Sequence, residues 1–208
     1  MNDDVQRKMS ASSHAFLRCV WPAVAEQLGG GEVIPVECTS TDEWAKQLDL
    51  LAGIDLWQVV HNGMGLRGVA SRVQWVKDRG TFTIRETGRN GSAVKTEWQK
   101  RQYALVYRDH GIISPYWMIH AYMRPPAAAG NLVRVGIVET SQLIRYVMDS
   151  ISNTGVRGPG EGPNTDGVGR NRNREDGRIF LYADWRSLQR AGVEVKIVSG
   201  QMSMVVSP

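Results

Sequence analysis

The sequence holds only two cysteines, Cys19 and Cys38, too few for a disulfide scaffold and not spaced as a CxxC pair. It has no apolar run near the roughly 20 residues that span a bilayer. Its first residues, MNDDVQRKMSASSH, are polar and acidic near Met1, unlike a secretory leader. These absences point to a reducing, cytoplasmic setting and no membrane partner. The four histidines, His14, His61, His110 and His120, share no metal-ligand spacing, which argues against a zinc site. GPGEGP and GMGLRG lack the G-K-[ST] ending of a phosphate loop, and no G-x-S-x-G elbow occurs. No internal repeat is visible.

What is present suits a globular chain. At 208 residues there is enough length for one domain with a full core. A hydrophobic content of 42% with 22% charged residues fits that class. Twenty-five basic against 21 acidic residues give a net charge of +4. Such a balance is compatible with a polyanionic partner, because Lys and Arg release counterions from phosphate backbones. Seven tryptophans are expected mostly in the core.

Periodicity supplies the elements. HAFLRCVWPAVAEQL (14–28) carries apolar residues at helical spacing, with Pro22 predicting either a kink or a helix start. EVIPVEC is extended, and Pro35 places it at a sheet edge. STDEWAKQLDLLAG predicts a helix, with Ser40 and Glu43 as a capping box and Gly53 as the stop. IDLWQVV and RGVASRVQWV read as strands around the Asn62-Gly63 turn, and GTFTIRET alternates like another. GSAVKTEWQKRQYALVYRDHG predicts a helix passing into a strand. SPYWMIHAYM and NLVRVGIVE read as strands, and TSQLIRYVMDSI as a helix turning Leu143, Ile144, Val147 and Ile151 inward. Residues 152–178 lack apolar periodicity and are dense in Gly, Asn and Arg, which predicts a flexible loop. IFLYADWRSLQRAGVEVKIV then reads as strand, helix capped by Asp184, and strand. The expected fold is α/β, a mixed central β-sheet flanked by helices. Its expected organisation is a core over 1–151, a basic loop over 152–178 and a strand-helix-strand extension over 179–208.

GID at 53–55, SRVQW at 71–75, TFTIR, TEWQKR and the later YWMIHAYM…LVRVGIVETSQLI together resemble the restriction-endonuclease-like, or PD-(D/E)xK, superfamily over roughly 14–151. In that family one strand carries an Asp and the next an E-x-K or Q-x-K. Alternate residues on a strand share a face, so such an acid and lysine point at one metal and one phosphate. The resemblance implies a restriction-endonuclease-like fold acting on nucleic acid, with DNA the expected polymer and Mg²⁺ or Mn²⁺ as cofactor. It further implies a setting in phages, mobile elements or defence systems.

Asp55 matches the family's Asp and would be a metal ligand. Arg72-Val73-Gln74 stands where E-x-K should be, and Arg cannot ligate Mg²⁺. A working site therefore needs another carboxylate, from Glu26, Glu37, Glu86 or Glu97, and a migrated lysine, Lys95 or Lys100. Glu97 and Lys100 lie three apart and share a helix face, which makes them the preferred acid and base, with Glu97 as second metal ligand. Gln74 would orient water or phosphate and Arg72 would hold the phosphate.

Plainer readings stand beside these. Asp55 would cap the turn after Gly53, Arg72 and Gln74 would be an exposed strand face, and Glu97 with Lys100 a solvated pair. Arg85 and Arg89 flank the turn RETGRNG and either grip phosphate or keep an edge soluble. Arg170, Arg172, Arg174 and Arg178 either order on a nucleic-acid backbone or belong to a solvated loop, their charge diluted by Glu175 and Asp176. Two other classes stay open: a nuclease-like module that binds without cutting, and a regulator or assembly subunit whose partner is another protein or a second copy of the chain.

Overall fold

The computed structural model describes residues 11–36, 52–60, 65–75, 78–88, 95–125 and 131–200. The first described segment is a helical run whose geometry follows from Pro22. Proline has no N–H to return to the carbonyl four residues back, so a straight α-helix cannot pass through it. A wider π turn, Phe16–Val20, precedes it and closes with the Trp21 N–H on the Phe16 carbonyl. Pro22 then lies in the first turn of α1 (Trp21–Val24), where its missing donor costs nothing.

Nine strands follow among the described residues: β1 (Glu32–Pro35), β2 (Leu56–Val60), β3 (Gly65–Gln74), β4 (Thr81–Arg85), β5 (Trp117–Met123), β6 (Leu132–Glu139), β7 (Val168–Arg172), β8 (Ile179–Asp184) and β9 (Val195–Ser199). Six of them form a central sheet in the order β1-β2-β3-β5-β6-β9. Neighbours are antiparallel except β3 and β5, which run parallel, so the sheet is mixed. β1 takes the edge, where the missing N–H of Pro35 breaks no ladder. The predicted 40–53 helix falls mainly outside the described residues, as does the Asn62-Gly63 turn.

One face of this sheet, with Val69, Val73, Ile119, Ala121, Val135 and Ile137, packs on Phe16, Val20 and Val24 of the helical run. Strand alternation sends Ala70, Arg72 and Gln74 of β3 to the other face, beside Met118, His120 and Tyr122 of β5. That face is covered by α2 (Glu97–Val106), by α3 (Thr140–Thr154), and by a second sheet of order β4-β8-β7. Leu143, Ile144 and Val147 of α3 are fully buried there, each contributing about 1.5–3 kcal/mol by leaving water. α4 (Trp185–Arg190) is capped by Asp184, whose Oδ1 accepts the Ser187 N–H at 2.9 Å. Its Trp185 ring fills the space over Gly136 that a β-carbon would occupy, which locks the two sheets together.

The expected central sheet is joined by a second sheet, in which β4, a strand as its alternation predicts, pairs with β8. Two expectations need correction. The stretch after α2 is not a strand: a short 3₁₀ turn at Arg108–His110 ends it at Gly111. Residues 152–178 are not a structureless loop, since they contain β7 and a polar knot around Asn164. Asn164 Nδ2 donates to Ser150 Oγ, Thr154 Oγ1 and the Gly155 carbonyl, while its Oδ1 accepts the N–H groups of Asp166 and Val168. Hydrogen bonds, which leave no apolar periodicity, hold this segment together. Among the described residues no helix is long and apolar enough to cross a membrane.

Candidate functional site

Two polar constellations meet at β3. The first is a charge cluster around Glu97 at the start of α2. Thr96 caps the helix by accepting the Gln99 N–H, and the Gln99 side chain accepts the Thr96 N–H in return. That turn delivers Glu97 inward. Its Oε1 accepts from Arg101 Nη2 at 2.6 Å, and its Oε2 from Arg72 Nη2 at 3.2 Å and from the Arg85 N–H at 2.9 Å. Burial alone would raise its pKa, but Arg101, Arg72 and the Arg85 amide together bring it down to about 2. Arg101 is itself pushed down by burial, against the pull of Glu97 and Asp55. His120, beside Arg72 in register, is held well below its ordinary pKa by burial and then by the Arg72 charge. It is therefore neutral, with Nδ1 accepting the Thr83 N–H at 3.3 Å.

Asp55 precedes β2. Its Oδ2 accepts the Ser71 N–H at 2.6 Å, and its charge bears on Arg101. It thus caps an amide of β3. A Mg²⁺ or Mn²⁺ ion asks for several converging oxygen ligands. Here both oxygens of Glu97 already accept from two guanidinium groups and an amide, and among the described residues no three His, Cys, Asp or Glu side chains converge. The donor set does not fit a dication: guanidinium groups stand where a metal's charge would be.

The second constellation is a cleft of about 590 Å³ between β3 and the outer face of the second sheet. Arg72 and Gln74 line it from β3, and Thr81 and Thr83 from β4. Asn171 and Arg172 come from β7, and Phe180, Tyr182 and Asp184 from β8. Arg79 lies at its margin, exposed. Arg72 is anchored by Nη1 on Thr83 Oγ1 at 2.6 Å and sits 5.4 Å from the centre of the Phe180 ring. Arg79 and Arg172 make the cleft cationic, the Arg72 charge being shared with Glu97, and among the described lining residues Asp184 is the only acidic one and is engaged as a helix cap.

The other candidates distribute as follows. Lys100 is half-buried on α2, and the partner of Glu97 along the helix is Arg101, four residues on, not Lys100. Lys95 lies over the Tyr103 ring. Glu86 holds Arg170 through Nε and Nη2, with contacts of 2.6–3.0 Å, so both leave the pool of free groups. Arg85 is half-buried, its pKa lowered by burial against the pull of Glu97. Arg172 and Arg174 are exposed. Glu26 is exposed on the helical run that covers the opposite sheet face. Glu37 and Arg89 lie outside the described residues.

Sequence reading missed Arg101, Arg79 and the aromatic pair Phe180 and Tyr182. The spacing of Glu97 and Arg101 was a visible i,i+4 signal. The alternation of IFLYAD placed Phe180, Tyr182 and Asp184 on one face, but nothing local said what that face met. No family model matches the chain, and neither a curated protein nor a solved structure matches it.

Proposed function

We propose that this protein binds nucleic acid through the cationic cleft, as a restriction-endonuclease-like module whose role is holding a phosphate backbone rather than cutting it, in a cytoplasmic setting. The observation that carries the reading is the joint placement of Arg72 and Gln74 in one cleft with Arg79 and Arg172. Guanidinium and carboxamide groups suit phosphate oxygens and base edges. The nuclease-like fold is supported by the antiparallel pair β2 and β3, with Asp55 at the head of one strand and Arg72-Val73-Gln74 on the other. Cleavage is the weaker part of the family's chemistry here, since Glu97 is neutralised by arginines.

The test is binding of labelled single-stranded and duplex DNA and RNA across a salt titration. Binding that falls steeply with salt is expected, and Arg79→Ala or Arg172→Ala should each weaken it and lower the salt slope by about 1. A parallel incubation with Mg²⁺, Mn²⁺ or EDTA reads cleavage. Metal-dependent cutting lost in Asp55→Ala and Glu97→Ala would replace this reading with that of a metal-dependent nuclease. A protein partner is the second reading, favoured by the exposed Tyr103, Val106, Tyr107, Ile113 and Tyr116 on and after α2. Absence of nucleic-acid binding at low salt would leave that reading standing.

A further inference from the structure

The floor of the cleft carries a feature that cation count alone does not explain. Alternation along β8 buries Leu181 and Ala183 and turns Phe180 and Tyr182 to the cleft, about 7 Å apart along the strand. Directly opposite Tyr182, on β7, stands Gly169. A β-carbon there would collide with the Tyr182 hydroxyl and lie 2.9 Å from Cε1. The ring therefore leans across its neighbour strand, into space that any other residue at 169 would fill. In that pose the ring covers Gly169 and Tyr182 lines the cleft.

The surroundings of this platform match the parts of a nucleotide. Asn171 and Asn173 offer carboxamide N–H donors of the kind that read base edges, their Oδ1 atoms already accepting the Arg172 and Glu175 amides, and Gln74 reaches Thr83 Oγ1 at 3.5 Å beside them. Arg79 lies near enough for its charge to act on the Tyr182 phenol, and Arg172 stands exposed at the margin. The cleft volume of about 590 Å³ is of the size that holds one small ligand. A base stacked within a duplex cannot reach such a floor, whereas an unpaired base lies flat on an aromatic ring whatever its identity.

We infer that the cleft recognises single-stranded nucleic acid, seating one unstacked base on Tyr182 with the adjoining phosphates on Arg79 and Arg172. This rests on the nucleic-acid reading above. Burial keeps the Tyr182 phenol above its ordinary pKa, so the platform is uncharged and does not repel phosphate.

The experiment is fluorescence anisotropy with a labelled 12-nucleotide single strand, the same strand carrying abasic sites, and the matching duplex. The proteins compared are wild type, Tyr182→Phe, Tyr182→Leu and Gly169→Ala, each checked for folding by thermal melting. The single strand is expected to bind at least tenfold more tightly than the duplex. Tyr182→Leu should lose about tenfold to a hundredfold of that affinity, and Tyr182→Phe little, as expected for one stacked base. Gly169→Ala should resemble the leucine variant, because its new methyl group displaces the ring without touching a charge. If the leucine variant does not fold, the abasic strand reads the same contact on wild-type protein. Equal affinity for strand and duplex, or for normal and abasic strands, would overturn the inference while leaving the nucleic-acid reading in place. No binding to any of the three ligands would overturn both.

Discussion

Glu97→Gln removes the charge of one inward-facing carboxylate while nearly preserving its volume. The wild-type carboxylate accepts from Arg101, whose side chain is 3% exposed, and from the partly buried Arg72. In the variant these cations, with Arg85 beside them, face one another, and Asp55 is the carboxylate among the described residues that still acts on Arg101. Breaking a buried ion pair from one side costs about 3–5 kcal/mol. The depression of the Glu97 pKa from 4.5 to about 2 corresponds to roughly 3 kcal/mol by proton linkage. Burial lowers the Arg101 pKa against the pull of Glu97, so part of the attraction only offsets desolvation, and the lower end of the range applies. In a chain of this length each kcal/mol moves Tm by about 2–4 °C, so the variant should melt about 6–12 °C below wild type. Thermal unfolding at pH 7, followed by circular dichroism and calorimetry, measures this. Adding Arg101→Met should recover part of the loss, because the cation left without a partner is then gone. An unchanged or raised Tm in Glu97→Gln would refute the reasoning and return Glu97 to the role of a functional carboxylate.

Acid should act through the same group. The folded-state pKa of Glu97 is depressed, so its contribution is complete above the unfolded value near 4.5 and drains away as pH falls toward about 2. Urea midpoints taken across that window should fall more steeply for wild type than for Glu97→Gln, and parallel curves would contradict the assignment. Gly136→Ala would drive a methyl group into the buried Trp185 ring; overpacking of this kind costs about 1–3 kcal/mol, read as a lower denaturation midpoint. Asn164→Asp replaces the donor that serves Ser150, Thr154 and Gly155 with a second acceptor. It should cost about 1–3 kcal/mol and speed proteolysis between 155 and 167. Cleavage at the wild-type rate would show that the knot does not hold this segment.

Much of this protein was legible from local rules. The edge position of Pro35, the place of Pro22 in the first turn of α1, the Asp184 cap of α4 and the inward stripe of α3 follow from spacings of two, three or four residues. Those spacings depend only on the geometry of one strand or one helix. The same alternation put Arg72 and Gln74 on one face of β3 before any partner was known. What lay across from them could not be read, because it depends on pairings between distant parts of the chain. β4 joins β8 and β7 because burying Phe82, Ile84, Leu181, Ala183 and Val168 together covers α3 and the central sheet, and only the assembled layers reveal that choice. That second sheet brings Phe180 and Tyr182 opposite Arg72, turning an exposed strand face into a cleft. The fate of Glu97 was decided the same way. Its sequence neighbours offered both Lys100 and Arg101, and the inward face of α2 against β3 and β5 selected Arg101. Spacings along the chain set the elements and the faces of their side chains. Which faces meet, and so which charges are paired inside the protein and which stay exposed, was decided by tertiary packing, where burial rewards contacts that no local pattern records.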